Sequence, residues 1–154
     1  MQMVTMPMEN LAELIQVQLD NGGRANLTVT GNSMRPMLTH RRDSVTLVRT
    51  QQYKVGQIPL FRRDNGAYVL HRIIEVTEDG YICCGDNQAI REPVREDQMI
   101  AVVADFVKNG KYHTVEELGY RFYSAVWMKL FPVRKLYYRG RRFLGRVRRK
   151  LLGK

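Results

Sequence analysis

Cysteine is scarce in this chain of 154 residues. There are two, side by side at Cys83 and Cys84. Adjacent cysteines seldom bridge each other, because the geometry is strained, and two ligands are too few for a structural zinc site. Reduced, buried thiols are expected, which suits a reducing compartment; no metal or other cofactor is expected. Long apolar runs are also missing. The best candidate, residues 122–133, is interrupted by Lys129 and Pro132 and falls well short of the roughly 20 residues a spanning helix needs. The first residues, MQMVTMPMENL, hold no positive n-region and no apolar core, so neither a secretory signal nor a membrane anchor is expected.

Acidic residues are scarce in one region only. Residues 1–110 carry 12 Lys and Arg against 13 Asp and Glu, a net −1, whereas residues 111–154 carry 13 against 2, a net +11. The overall charge of +10 therefore belongs to the C-terminal segment and calls for an explanation of its own.

Hydrophobic residues make up 44% of the chain, enough for an ordinary core in one domain with an appendage. Leu11, Leu14, Ile15, Val17 and Leu19 fall at mostly helical spacing before Asn21-Gly22-Gly23, which predicts an amphipathic helix with a C-terminal cap. Short runs rich in β-branched residues follow: 26–31, 44–48, 58–62, 68–76, 81–84 and 100–107. Turn residues separate them, including Asp64-Asn65-Gly66 and Glu78-Asp79-Gly80, so the core is predicted to be all β. Pro59 implies an edge strand or a bulge. From about Val115 the pattern turns helical, with an apolar stripe at Val133, Leu136, Tyr137, Phe143, Leu144, Val147 and Leu151 among arginines and lysines. Gly140 and Gly145 weaken that helix by roughly 1 kcal/mol each. The expected division is residues 1–22 as N-terminal helix, 24–112 as β domain and 113–154 as basic helical tail.

Candidate chemistry centres on Thr30-Gly-Asn-Ser33-Met-Arg-Pro-Met-Leu38. A serine hydroxyl needs a base to act as a nucleophile. Three histidines are present. His40 lies in a charged turn, His113 follows the last expected strand, and His71 sits mid-strand in an apolar run. An unpartnered imidazole there costs on the order of 1–3 kcal/mol, so His71 is either a satisfied core histidine or a base. Asp86, in the polar turn Gly85-Asp86-Asn87-Gln88, is either a turn aspartate bonding its own backbone or the carboxylate that orients an imidazole.

Taken together, Thr30–Leu38, Tyr53-Lys-Val-Gly56, Val69-Leu-His-Arg-Ile-Ile74 and Gly85-Asp-Asn87 resemble the signal peptidase family and, more widely, the serine peptidases that include the self-cleaving SOS repressors. The likeness covers residues 26–107. It implies a mainly β fold, a signal-peptidase/SOS-repressor-like β domain, here with an N-terminal helix and a C-terminal basic helical extension. It implies Ser33 as nucleophile and His71 as base, in the Ser-His subtype rather than the Ser-Lys one. The third catalytic residue is expected to be Asp86, with Glu92 as the reserve. The implied activity is that of a serine endopeptidase cutting a dedicated peptide or protein substrate that lies extended along a strand edge, with small side chains near the cut. The family's Gly-Asp-Ile-Val box reads Gly56-Gln57-Ile58-Pro59 here, and neither the usual anchor nor a counterpart of the tail is found.

For residues 115–154 three roles stand open: a helix lying on an anionic membrane surface, an electrostatic contact with nucleic acid, and a helix folded onto the domain with a solvated basic face. The apolar stripe and the lack of interleaved stacking aromatics argue against nucleic acid as partner. The expected setting is cytoplasmic and peripheral at the inner face of the membrane. The alternative to a peptidase is a non-catalytic peptide-binding relative tethered there by its tail.

Overall fold

The computed structural model describes residues 8–152; the leader reading of residues 1–7 lies outside them. Helix α1 (Met8–Asp20) is followed by strands β1 (Ala25–Thr28), β2 (Ser44–Val48), β3 (Pro59–Arg62), β4 (Tyr68–Leu70), β5 (Arg72–Thr77), β6 (Gly80–Cys84), β7 (Glu92–Val94), β8 (Met99–Lys108) and β9 (Lys111–Thr114), then helices α2 (Leu118–Lys129) and α3 (Phe131–Leu151). Strand and helix take nearly equal shares, about 31% and 32%, so the fold is mixed α/β rather than mainly β. The excess helix is α2 and α3.

Ala12, Ile15 and Leu19 of α1 are buried at helical spacing, while Leu14 and Val17 stay exposed. The helix ends where Gly22, at φ +72°, takes the left-handed conformation and its N–H donates to the Leu19 carbonyl. A curled antiparallel sheet runs in the order β1-β2-β8-β3-β4, with β9 also paired to β8. The continuous apolar run of β8 makes it the central, largely buried strand. Bulges at Thr46/Leu47 and Leu60/Phe61 add to the curl. A second antiparallel sheet holds β5-β6-β7. The main core lies between α1 and the large sheet; a smaller one, with Phe61, Ile73, Tyr81, Cys83 and Val94, lies under the small sheet.

Of the two settings expected for Pro59, the structure shows the bulge: Pro59 opens an interior strand flanked by β8 and β4 with a bulge at Leu60/Phe61, and its missing N–H is tolerated at a strand start. Two other sequence expectations change. The sheet runs on through β9 to Thr114, which places His113 inside a strand. The single strand expected over 68–76 is two strands in different sheets, divided at His71.

Candidate functional site

The division at His71 positions the site. Strand β4 closes the large sheet and β5 opens the small one, so the imidazole stands at the junction. It is buried at 3% exposure, with Phe61 edge-on at 6.1 Å between centroids. The Ser33 loop arrives from the other edge of the large sheet, directly after β1. The Gly31 N–H donates to His40 Nδ1 at 2.8 Å, and the Leu38 N–H donates to the Met34 carbonyl at 2.9 Å. His40 thus holds the loop by its backbone.

The Gly85–Asn87 turn joins the two. The Asn87 N–H donates to the Ser33 carbonyl at 2.8 Å, and the Asn87 side-chain amide donates to the Asn32 carbonyl at 3.2 Å. A Cβ placed on Gly85 would lie 2.6 Å from the Ser33 carbonyl oxygen and 3.2 Å from His71 Nε2. Glycine is required there by close approach. Ser33 and His71 line the same cavity of about 190 Å³, with Leu27, Val29, Met34 and Leu70 among its walls. The structure therefore brings the two residues together, although no hydrogen bond joins the Ser33 hydroxyl to the ring among the described residues.

Asp86 is not the ring's partner. Its carboxylate, 1% exposed, takes a bidentate pair of hydrogen bonds from the Arg72 guanidinium, each 2.8 Å, and a third from the Tyr123 hydroxyl at 3.2 Å. Arg72 also donates to the Gly56 carbonyl and to Ser124 on α2. Burial alone would disfavour the Arg72 cation, but the Asp86 hydrogen bonds and charge outweigh it and raise its pKa. Of the expected Ser33–His71–Asp86 set, the third member therefore lies apart: Asp86 is the acid of a buried ion pair beneath α2.

The carboxylate facing the ring is that of Glu92 on β7, expected only as the reserve. Its Oε2 lies 3.2 Å from His71 Nδ1. The geometry falls short of a hydrogen bond, so the contact is electrostatic. Arg63, from the β3–β4 hairpin, grips Glu92 through two charge-assisted bonds, the Nη2–Oε2 one at 2.8 Å. Those bonds are the main cause that holds the Glu92 carboxyl below its ordinary range. Arg63 carried no sequence signal; it reads as one more polar residue in a hairpin.

Burial pushes the His71 pKa down, and Glu92 opposes this only in part. The ring is therefore neutral at pH 7 and free to accept a proton. The stability gained by burying neutral His71 is present above the unfolded pKa of about 6.5 and is lost as pH falls toward the lower folded value. Thermal denaturation followed from pH 7.5 to pH 5 is expected to show a falling Tm, and the slope should flatten in His71→Phe; an equal slope in the variant would contradict this origin.

The remaining sequence candidates lie elsewhere. His113 stacks on Phe106 at 5.3 Å and faces Glu117. Both cysteines are free and buried, with thiol pKa values pushed up by burial to about 12 for Cys83 and about 11 for Cys84; they stay protonated at neutral pH. Gln57, which stands where the resemblance leads one to expect aspartate, accepts the Lys54 N–H through its side-chain carbonyl at 2.8 Å and so closes its turn. No helix among the described residues is long and apolar enough to cross a membrane.

The sequence matches no protein-family model and no curated protein, and the fold matches no solved structure.

Proposed function

We propose that this chain is a serine endopeptidase of signal-peptidase type, with a β domain of the signal-peptidase/SOS-repressor kind, acting on a dedicated peptide or protein. One observation carries the reading: Ser33 and His71, 38 positions apart in sequence, line one cavity between the two edge strands of the curled sheet, β1 and β4. An unpaired strand edge takes up an extended peptide through main-chain hydrogen bonds, with pockets for alternate side chains. The cavity volume suits a small side chain next to the scissile bond, with Leu27, Val29 and Leu70 on the apolar part of a mixed lining.

The chemistry is acyl transfer. His71 Nε2 accepts the Ser33 hydroxyl proton as the Ser33 oxygen bonds to the peptide carbonyl carbon. The Ser33 backbone N–H is a donor for the oxyanion. The C–N bond then breaks, and His71 returns its proton to the leaving amine. Water, deprotonated by His71, releases the acyl group and restores the serine. Glu92 stabilises the imidazolium that forms at each proton transfer.

A fluorophosphonate probe tests the reading. Wild-type protein is expected to be labelled at Ser33 and to cut a peptide library. An unlabelled serine in folded protein would leave the same groove as that of a non-catalytic peptide binder. Cell fractionation tests the accompanying cytoplasmic, membrane-peripheral setting, which export of the chain would refute.

The carboxylate assignment has its own test. Glu92→Gln is expected to lower kcat/KM by roughly 10²-fold, within the range of general acid–base contributions. It should also move the acid limb of the pH–rate profile to lower pH, because the nearest negative charge that raises the His71 pKa is gone. A profile that keeps its midpoint would remove Glu92 from the proposed site.

A further inference from the structure

Helix α3 turns its polar side toward its own domain. From residue 118 to residue 151 the chain holds eleven Lys and Arg and no Asp or Glu. At 100° per residue, Val133, Leu136, Tyr137, Phe143, Leu144, Val147 and Leu151 fall within an arc of about 120°, with the basic residues over the rest. A helix meant to complete a core buries that arc. Here Arg134 and Tyr138, from the polar side, make the contacts to the β domain: Arg134 donates to the Asp86 carbonyl at 2.7 Å and Tyr138 to the Asn87 side chain at 3.1 Å. Leu136, Tyr137, Phe143, Leu144 and Leu151 are left 59–80% exposed. Helix α2 packs Tyr120 and Tyr123 against the core but also leaves an apolar pair outside. Tyr123, Ser124 and Trp127 reach the Arg72–Asp86 pair, and Leu118 and Phe122 on the opposite side are 81% and 73% exposed. The apolar arc of α3 is thus not folded onto the domain, whereas α2 packs on the core through Tyr120 and Tyr123.

We infer that the exposed face of α2 and α3 adsorbs to an anionic lipid bilayer, with the apolar arc inserted at the headgroup–acyl boundary and the flanking arginines and lysines among the phosphates. Charge complementarity selects this occupant. A second copy of the chain would set two strongly cationic segments against each other, which is unfavourable without counter-charges. Nucleic acid would engage the basic faces and leave the apolar arc in water. A bilayer with anionic headgroups satisfies both faces of one helix at once. Helix α3 also borders a groove against Asn87–Ile90, and Gln88 lines both that groove and the Ser33 cavity. The adsorbed helix thus lies beside the mouth of the site.

Co-sedimentation of the full chain with vesicles tests the inference independently of any peptidase activity, and Ser33→Ala should bind as wild type does. Binding to vesicles of phosphatidylcholine with phosphatidylglycerol is expected, at least about tenfold stronger than to phosphatidylcholine alone and weakened by salt. Arg141→Gln with Arg148→Gln should weaken it about thirtyfold. Phe143→Ser with Leu144→Ser should also abolish most of it, and both pairs are exposed, so circular dichroism should remain that of the folded chain. Failure to sediment with anionic vesicles overturns the inference, as does binding that the apolar pair leaves unchanged. A dimer in light scattering that the apolar pair dissociates would assign the face to a second copy instead. Tighter retention by duplex DNA than by anionic vesicles would assign it to nucleic acid.

Discussion

Ser33→Ala is expected to lower kcat/KM for peptide cleavage by about 10⁴-fold or more, with the Tm close to wild type. The size follows from the role: with the nucleophile gone, only binding and oxyanion stabilisation remain, and groups that act as a unit lose nearly everything when one is removed. The small effect on stability follows from place. Ser33 lies in a loop held by backbone contacts, from Asn87 to its carbonyl and from Gly31 to His40, and alanine keeps those contacts. His71→Gln should lose activity to a similar degree. The double variant should be no worse than either single one, because in the proposed reaction the hydroxyl and the imidazole work on the same proton. Multiplicative losses in the double variant, or residual cleavage within tenfold of wild type in Ser33→Ala, would show that another group attacks the substrate.

Asp86→Ala is expected to be the most destabilising single substitution in the site region, by about 3–5 kcal/mol. It leaves the Arg72 guanidinium buried at 1% exposure without its counter-charge and deprives Tyr123 of its acceptor. For a chain of this length that corresponds to a fall in Tm of roughly 10 °C. Breaking such a pair costs far more than the pair itself contributes, because the remaining ion has lost both water and partner. Replacing both partners with apolar residues of similar volume, Arg72→Met with Asp86→Leu, should recover part of the loss. Glu92→Gln, in contrast, removes a partly exposed carboxylate and should shift the Tm little. The two variants separate the proposed roles: Asp86→Ala is expected to act on stability and Glu92→Gln on rate. Asp86→Ala with an unchanged Tm and a 10⁴-fold loss of cleavage would return Asp86 to the catalytic set and displace Glu92.

The same pair explains why the C-terminal helices pack where they do. Arg72 sits at the base of the α2 interface, bonded at once to Asp86, Gly56 and Ser124. The Asp86 carbonyl receives both Trp127 and Arg134. The turn that fastens the Ser33 loop is therefore also the turn that fastens α2 and α3. Asn87 links the helices to the Ser33 loop, bonding Ser33 on one side and Tyr138 on the other.

Several features were legible in the residues alone, because they rest on local chemistry. Strand β2 matches its β-branched run, the Asp64-Asn65-Gly66 turn makes the β3–β4 hairpin, and Asn21-Gly22-Gly23 ends α1. The basic tail is helical, as its spacing requires. The pairing of Ser33 with His71 came from the family resemblance; by itself His71 also reads as a satisfied core histidine. Tertiary structure alone decided the rest. The stretch from Tyr68 to Val76, β-branched and apolar apart from His71, Arg72 and Glu75, carries no turn residue to mark where the chain leaves one sheet for another, so the break at His71 is seen only in the sheet pairing. Both carboxylates lie in polar segments after β6, and nothing local tells them apart. Asp86 faces a buried arginine and Glu92 faces the imidazole because of how the small sheet packs beneath the large one. The direction in which α3 turns its apolar side was likewise undetermined by periodicity, which gives a helix two faces but not their partners; in the structure Arg134 and Tyr138, bonded to the Asp86–Asn87 turn, face the domain instead.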